Sequence, residues 1–122
     1  MNRIFLIEDN PAMIDLISNL LKEINCEIIH FKEGKSAYDS LPELKPDLVL
    51  CDLFMPGYDG FKFLQEVKSS SSFRSLPVVV LSAVADKNII DEVLQNGADY
   101  FFTKPFRVAE LYNTIRKIIG DE

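Results

Sequence analysis

Residues 48–60 read LVLCDLFMPGYDG, an apolar run that stops at one carboxylate, Asp52. Four similar runs occur elsewhere in the chain, and most of them are continuously apolar rather than alternating. Such runs are typical of strands covered on both faces, as in a parallel sheet. The predicted strands are residues 3–7, 27–31, 48–51, 78–81 and 100–103.

Helical patterns lie between these strands. Asn10 before Pro11 predicts an N-cap with proline at the first helical position, and apolar residues then recur at helical spacing. A short second helix is predicted over residues 34–41. The remaining predicted helices are residues 61–67, a segment ending at Asn96 and Gly97, and a segment ending at Gly120 that begins at a poor N-cap residue, Arg107.

The alternation of strand and helix, repeated five times, predicts an α/β fold. The expected architecture is (βα)5, a doubly wound open parallel sheet with strand order 2-1-3-4-5 and helices on both faces. The chain has 122 residues and shows no repeat or linker, so we expect one domain over residues 1–122.

Composition limits the classes of partner. The formal net charge is −6 and no basic run is present, which argues against direct binding of nucleic acid. No apolar run has membrane-spanning length, and the N-terminus lacks the pattern of a secretory signal, so we expect a cytoplasmic protein without a membrane partner. Cys26 and Cys51 have no metal-binding or redox spacing, and Cys51 is expected to be a buried thiol.

Polar residues follow four of the predicted strands. Glu8 and Asp9 follow the first, Asp52 the third, Ser82 the fourth and Lys104 the fifth. The carboxyl edge of an open parallel sheet is where such folds bind ligands. Any one of these residues alone is usually a helix cap, a turn residue or a surface residue. Helix capping does not, however, account for this set of residues at four different strand ends.

The residue types indicate a phosphoryl site. Three neighbouring carboxylates repel each other unless a cation neutralises them, and ligands that are all oxygen suit a hard ion such as Mg²⁺. Lys104 adds a positive charge and Ser82 a hydroxyl. In this arrangement Asp52 would be the nucleophile that forms an aspartyl phosphate. Met-Pro-Gly at residues 55–57 is predicted to turn the chain away from it.

Four motifs in order, LIEDNP (6–11), PDLVLCDLFMPGYDG (46–60), PVVVLSA (77–83) and NGADYFFTKPF (96–106), resemble the receiver domain of two-component response regulators over essentially the whole chain. The resemblance implies the flavodoxin-like form of the fold. It also implies a phosphodonor, either a histidine kinase or a histidine phosphotransfer protein, and a downstream protein target. The domain would be a monomer or a weak phosphorylation-dependent dimer. It would not be an enzyme, except that it would catalyse its own phosphorylation and dephosphorylation. It would be either a stand-alone protein of the chemotaxis or phosphorelay type or part of a longer protein.

The resemblance also assigns site residues. Asp52 would be the phosphoacceptor, and Mg²⁺ (or Mn²⁺) would be held by Asp9, Asp52 and the Phe54 backbone carbonyl, with Glu8 acting through a water. Lys104 would pair with the phosphoryl group. The switch residues implied are Ser82, Phe101 and Pro105, the last often after a cis bond.

Some positions depart from the commonest family pattern. Glu8 replaces a more usual Asp, Ser82 a Thr and Phe101 a Tyr. Phe54, two residues after the acceptor, could shield the acyl phosphate from water, which predicts slow self-dephosphorylation.

Apolar residues that widen the helix stripes are candidates for partner contacts. Met13 and Leu16 on the first helix, Ile89 on the fourth and Tyr112 on the fifth are candidates, and wide core-facing stripes are the alternative. His30, the only histidine, is expected at a sheet edge, far from the acidic residues.

Three other functions remain open. An aspartate-nucleophile phosphatase with Mg²⁺ would normally carry a second carboxylate two residues after the first, where this chain has Phe54. A flavodoxin-like cofactor protein would need a phosphate loop that Glu8 and Asp9 would repel. A receiver-like docking module that is never phosphorylated is the third.

Overall fold

The computed structural model describes residues 1–54, 60–84 and 86–120, so the predicted turn at residues 55–57 lies outside the described residues. Strands and helices alternate along the chain. A 3₁₀ turn, Leu21–Glu23, extends the first helix. The elements are β1 (Asn2–Ile7), α1 (Pro11–Leu20), β2 (Cys26–Phe31), α2 (Gly34–Leu44), β3 (Leu48–Asp52), α3 (Gly60–Ser69), β4 (Val78–Ser82), α4 (Lys87–Gln95), β5 (Tyr100–Thr103) and α5 (Val108–Ile119).

The five strands form one parallel sheet in the order β2-β1-β3-β4-β5, which confirms the predicted fold class. Alternate residues of each strand enter two separate cores, as the two-residue period of a strand requires. On one face Ile4, Leu6 and Leu50 pack with residues of α1 and α5. On the other face Phe5 and Val80 pack with residues of α2, α3 and α4. None of the helices described is both long and apolar enough to span a membrane.

Local sequence signals set some of the helix ends. Asn10 caps α1, with its side-chain oxygen accepting from the backbone N–H groups of Ala12 and Met13, as predicted. Helix α4 ends at Gln95 with Asn96 as its C-cap, and Gly97 follows with a φ of 104°, a conformation that favours glycine. Arg107 precedes α5 without a side-chain capping bond.

The predicted end of α2 at residue 41 is wrong. The helix continues through Pro42 and ends at Leu44. Its C-cap, Lys45, has a left-handed φ of 45° and donates its N–H to the Leu41 carbonyl. Proline removes one intrahelical hydrogen bond, but the buried face that includes Ala37 and Leu41 still packs on the sheet. Packing of an amphipathic face therefore carries the helix past the residue at which the sequence predicted it to stop.

Candidate functional site

Three carboxylates meet at the carboxyl edge of the sheet. Glu8 and Asp9 follow β1, Asp52 ends β3, and one oxygen of each lies within 4.8 Å of the others. They are brought together because β1 and β3 are direct neighbours, with Ile7 paired to Cys51. Glu8 and Asp52 are buried, whereas Asp9 is exposed. The acidic residues predicted from the strand ends are therefore one group in the structure.

Lys104 reaches this group from the other side. Its Nζ lies 2.9 Å from Glu8 Oε1 and 3.4 Å from Asp52 Oδ1. The backbone of Lys104 is held as well, because its N–H donates to the carbonyl of Ser82 at 2.8 Å. With all four side chains ionised, one ammonium faces three carboxylates, so two negative charges remain uncompensated.

Hydrogen bonds fix Glu8 in this position. Its Oε2 accepts from the Asn10 backbone N–H at 3.2 Å, and its own N–H donates to the Phe31 carbonyl at 3.0 Å. The Glu8 carbonyl lies 2.8 Å from Nε2 of His30. The expectation that His30 lies far from the acidic residues is therefore wrong. The parallel register pairs Leu6 with His30, so the histidine ring reaches the residue just beyond the end of β1.

Burial is the main reason why the pKa of Asp52 is raised, from 3.8 to about 6. The negative charge of Glu8 raises the pKa further, and the ammonium of Lys104 lowers it. The Asp52 carboxylate is therefore mostly ionised at neutral pH, but less readily than an exposed aspartate. A cation at this position would favour the ionised form.

The donor set fits a hard divalent cation. All the candidate side-chain ligands are oxygens, and a charge of +2 would balance the two uncompensated negative charges. Glu8 differs from Asp9 and Asp52, because its two oxygens already accept from Lys104 and Asn10. The indirect role of Glu8 and the direct roles of Asp9 and Asp52 in holding an ion stay predictions.

Ser82, the last residue of β4, is fully buried. Its hydroxyl donates to the Val84 carbonyl at 2.8 Å and accepts from the Val84 N–H at 3.0 Å. The hydroxyl is therefore engaged by its own loop. Strand alternation places Ser82 on the face of Val80, opposite to Asp52 and Lys104, and Val80 is paired with Phe101 on β5. Phe101 is half-buried against that same core.

Phe54 extends from the end of β3 with half of its surface exposed. It borders a cavity of about 190 Å³ whose other walls come from α3 and α4. The wall residues are Leu53, Phe54, Phe61, Ile89, Glu92 and Val93. The structure thus brings together Phe54 and Ile89, which the sequence placed in separate roles. The bond between Lys104 and Pro105 is cis.

The other candidate contact residues lie on α1 and α5. Leu16 is exposed and Met13 is half-buried against the core. Tyr112 borders a separate groove of about 480 Å³ together with Leu20 of α1, and the Arg116 guanidinium lies 5.5 Å from the centre of its ring. Their roles in partner binding stay predictions.

Sequence reasoning missed two residues at this site. His30 contacts Glu8, and Val84 is exposed two residues after Ser82, just as Phe54 is exposed two residues after Asp52. The spacing of Val84 from the end of its strand was a usable signal, since β3 and β4 are neighbours. No sequence pattern marked His30.

Comparisons with known proteins agree with this geometry. The family model described as response regulator receiver domain matches residues 4–116. The sensor protein GacS of Pseudomonas syringae is 33% identical over 97% of this chain, which spans only 13% of GacS. The polar-differentiation response regulator DivK of Brucella anthropi is 29% identical, with 97% of this chain and 96% of DivK covered.

A solved structure shares the architecture. The receiver domain of a sensor histidine kinase from Pseudomonas aeruginosa matches with a TM-score of 0.86 and 28% identity, covering 98% of each chain. That protein was crystallised with a magnesium ion coordinated in its active-site cleft.

Proposed function

The chain belongs to the response regulator receiver domain family, and from this premise we propose that Asp52 accepts a phosphoryl group from a phosphohistidine. Receiver domains of two-component systems are signalling phosphoacceptors rather than enzymes in the usual sense. The alternatives of a docking module or a phosphatase are not favoured. The observation that carries the proposal is the buried Asp52 carboxylate, with the Lys104 ammonium 3.4 Å away and two further carboxylates within 4.8 Å.

The proposed transfer is a nucleophilic displacement at phosphorus. An Asp52 carboxylate oxygen attacks the phosphorus atom, the O–P bond forms, and the P–N bond to the donor histidine breaks with its electron pair going to the imidazole nitrogen. Lys104 stabilises the negative charge on the transferring group from its fixed position. To do so, the Lys104 ammonium exchanges part of its contact with Glu8 for a phosphoryl oxygen.

Mg²⁺ or Mn²⁺ would be held by Asp9, Asp52 and the Phe54 carbonyl, with Glu8 acting through a water. When bound, the cation supplies positive charge that offsets the charge on the phosphoryl oxygens. The described residues prepare this role by concentrating carboxylate oxygens beside the acceptor. Glu8 also holds the Lys104 ammonium at this edge of the sheet.

We propose that the readout begins at Ser82. Its hydroxyl would leave Val84 and donate to a phosphoryl oxygen, and the loop that follows β4 would move with it. Phe101, half-buried on the same face of the sheet, would then change its packing against the core. Pro105 would fix the direction of the chain after Lys104. The outcome is a two-state shift rather than refolding.

The partners follow from this chemistry. The phosphodonor would be a histidine kinase or histidine phosphotransfer protein, and the output a protein target contacted through residues such as Met13, Leu16, Ile89 and Tyr112. We propose that residues 1–122 act as one receiver domain, as a monomer or as a weak dimer that depends on phosphorylation. The chain would catalyse its own phosphorylation and dephosphorylation only.

Phosphorylation by a small donor tests the proposal. The protein is incubated with phosphoramidate and Mg²⁺, and intact mass is measured for wild type, Asp52→Asn and a control, Asp39→Asn. Asp39 is an exposed carboxylate on α2, paired with Lys35 and away from the sheet edge. We expect an adduct of one phosphate in wild type and in the control, and none in Asp52→Asn.

Two results would overturn the proposal: no adduct on wild type, or an adduct that persists in Asp52→Asn. Continuous release of phosphate from phosphate esters, instead of a single adduct, would favour the phosphatase alternative.

A further inference from the structure

His30 lies at the end of the edge strand β2, where its ring contacts the turn that carries the acidic residues. Its Nε2 is 2.8 Å from the backbone oxygen of Glu8. The contact spans 22 positions of sequence and joins β2 to the segment between β1 and α1.

The direction of this hydrogen bond follows from the acceptor. A carbonyl oxygen carries no hydrogen, so Nε2 must be the donor, and a neutral His30 must have its proton on Nε2. Glu8 has no exposed surface. His30 itself is exposed, but a ring of similar bulk without the donor would still cover this carbonyl and leave it without a hydrogen bond, which is costly.

Together with a second hydrogen bond, this contact lets β2 hold the backbone of Glu8 in place. The Glu8 N–H donates to the Phe31 carbonyl, so both backbone polar groups of Glu8 are bonded to neighbouring residues of one strand. Rotation of the peptide that follows Glu8 would break the His30 bond and reorient Asp9. The side chain of Glu8 would shift at the same time relative to Lys104 and Asn10.

We infer that His30 is a positioning residue for the metal-binding and phosphoacceptor group. It acts through the Glu8 carbonyl, holding the β1–α1 turn so that the carboxylates of Glu8 and Asp9 converge with that of Asp52. This inference rests on the proposed function, because its consequence is the affinity of the acidic group for Mg²⁺.

Three substitutions separate the bond from the bulk of the ring. His30→Phe keeps a ring and removes the donor. His30→Gln keeps an amide donor near the position of Nε2, and His30→Asn keeps an amide donor on a side chain that is too short to reach the Glu8 carbonyl. Binding of Mg²⁺ is measured by calorimetry, and the phosphoramidate reaction is followed as a function of Mg²⁺ concentration.

We expect His30→Phe and His30→Asn to weaken Mg²⁺ binding about tenfold, as for other residues that orient metal ligands, and His30→Gln to restore most of it. The Mg²⁺ concentration that gives half of the maximal rate should rise in parallel, while the rate at saturating Mg²⁺ stays close to that of wild type. In the metal-free protein, a long-range ¹H–¹⁵N spectrum should show neutral His30 with its proton on Nε2.

Glu27→Gln is the matched control. Glu27 is an exposed residue of the same strand, and its bond to Arg3 lies at the other end of β1. This variant should lose the surface ion pair and keep wild-type Mg²⁺ affinity. Any of three results would overturn this inference alone. They are equal Mg²⁺ affinity in wild type and His30→Phe, equal losses of Mg²⁺ affinity in His30→Gln and His30→Phe, and a neutral His30 ring protonated on Nδ1. Failure of wild type to bind Mg²⁺ or to accept phosphate would overturn the proposed function as well.

Discussion

The ammonium of Lys104 is closer to Glu8 than to Asp52, at 2.9 Å against 3.4 Å. Glu8 thus takes the stronger contact with the lysine while its charge raises the pKa of the acceptor. Replacing Glu8 by Gln should remove that repulsion and shift the lysine toward Asp52. Both changes favour the ionised form of Asp52.

We therefore predict that Glu8→Gln lowers the pKa of Asp52 from about 6 toward 3.8 in the metal-free protein. The measurement is an NMR titration of the side-chain carboxyl carbon of Asp52. The control, Asp39→Asn, removes an exposed carboxylate far from the site and should leave the titration unchanged. A pKa of Asp52 that stays the same or rises in Glu8→Gln would contradict the prediction.

A second prediction concerns stability and pH. The folded protein holds a proton on Asp52 more tightly than the unfolded chain does, so the ionised acceptor lowers the free energy of unfolding as pH rises from about 4 to about 6. Asp52→Asn has no such charge, and above pH 6 it should be more stable than wild type by an amount on the order of 1–3 kcal/mol.

Urea unfolding of both proteins in EDTA at several pH values checks this. The difference in stability should grow from pH 4 to pH 6, remain constant above it, and shrink when Mg²⁺ is added. Parallel pH profiles for wild type and Asp52→Asn would exclude a destabilising charge on the acceptor.

A third prediction concerns the lifetime of the aspartyl phosphate. Phe54 and Val84 expose apolar surface just beyond the ends of the neighbouring strands β3 and β4, and Phe54 lies two residues after Asp52. Because apolar groups exclude the attacking water, Phe54→Asn should shorten the phosphate half-life about tenfold, which is about 1.4 kcal/mol in the barrier.

The half-life is measured after removal of the phosphodonor, with Mg²⁺ kept constant. Leu94→Asn is the control, since Leu94 exposes a similar fraction of an apolar side chain on α4 but lies away from the acceptor. The shielding role would be rejected by a half-life in Phe54→Asn equal to or longer than that of wild type.

A fourth prediction follows from Gly60, the first residue of α3. A Cβ added there would clash with the Asp52 backbone oxygen and lie 2.8 Å from Cys51 Sγ. The clash with the backbone cannot be relieved by a side-chain rotation. Overpacking typically costs about 1–3 kcal/mol, and we expect Gly60→Ala to destabilise the fold by at least this amount.

Thermal and urea unfolding measure this loss. At Gly120 an added Cβ meets nothing within 4 Å, although its φ of 90° disfavours other residues. Gly120→Ala should therefore cost only the local backbone strain, about 1 kcal/mol. Similar losses in the two variants would argue against a steric role for Gly60.

The sheet and its acidic edge were predictable because both depend on local patterns. Continuous apolar runs marked the strands, and polar residues at their ends necessarily meet at one edge of a parallel sheet. Asn10 marked the start of α1 for an equally local reason, its side chain bonding residues two and three positions later.

The errors arose where distant parts of the chain decide the outcome. The helix passes Pro42 because its buried face packs on the sheet, which local propensity cannot reveal. The contact between His30 and Glu8 depends on the register of two strands that are separated by a helix. The partners chosen by the Ser82 hydroxyl likewise depend on the loop conformation after β4.

Because successive side chains of a strand point to opposite faces, the site residues on β3, β4 and β5 are divided between the two faces of the sheet. Asp52 and Lys104 meet on one side of the sheet, whereas Ser82 and Phe101 lie on the side covered by α4. In the proposed mechanism, the Ser82 hydroxyl would connect the phosphoryl group to the face of the sheet on which Phe101 lies. Substitutions of core residues beneath α4 should then change the output signal while leaving phosphorylation of Asp52 intact. Signal output and phosphorylation would therefore be able to evolve separately.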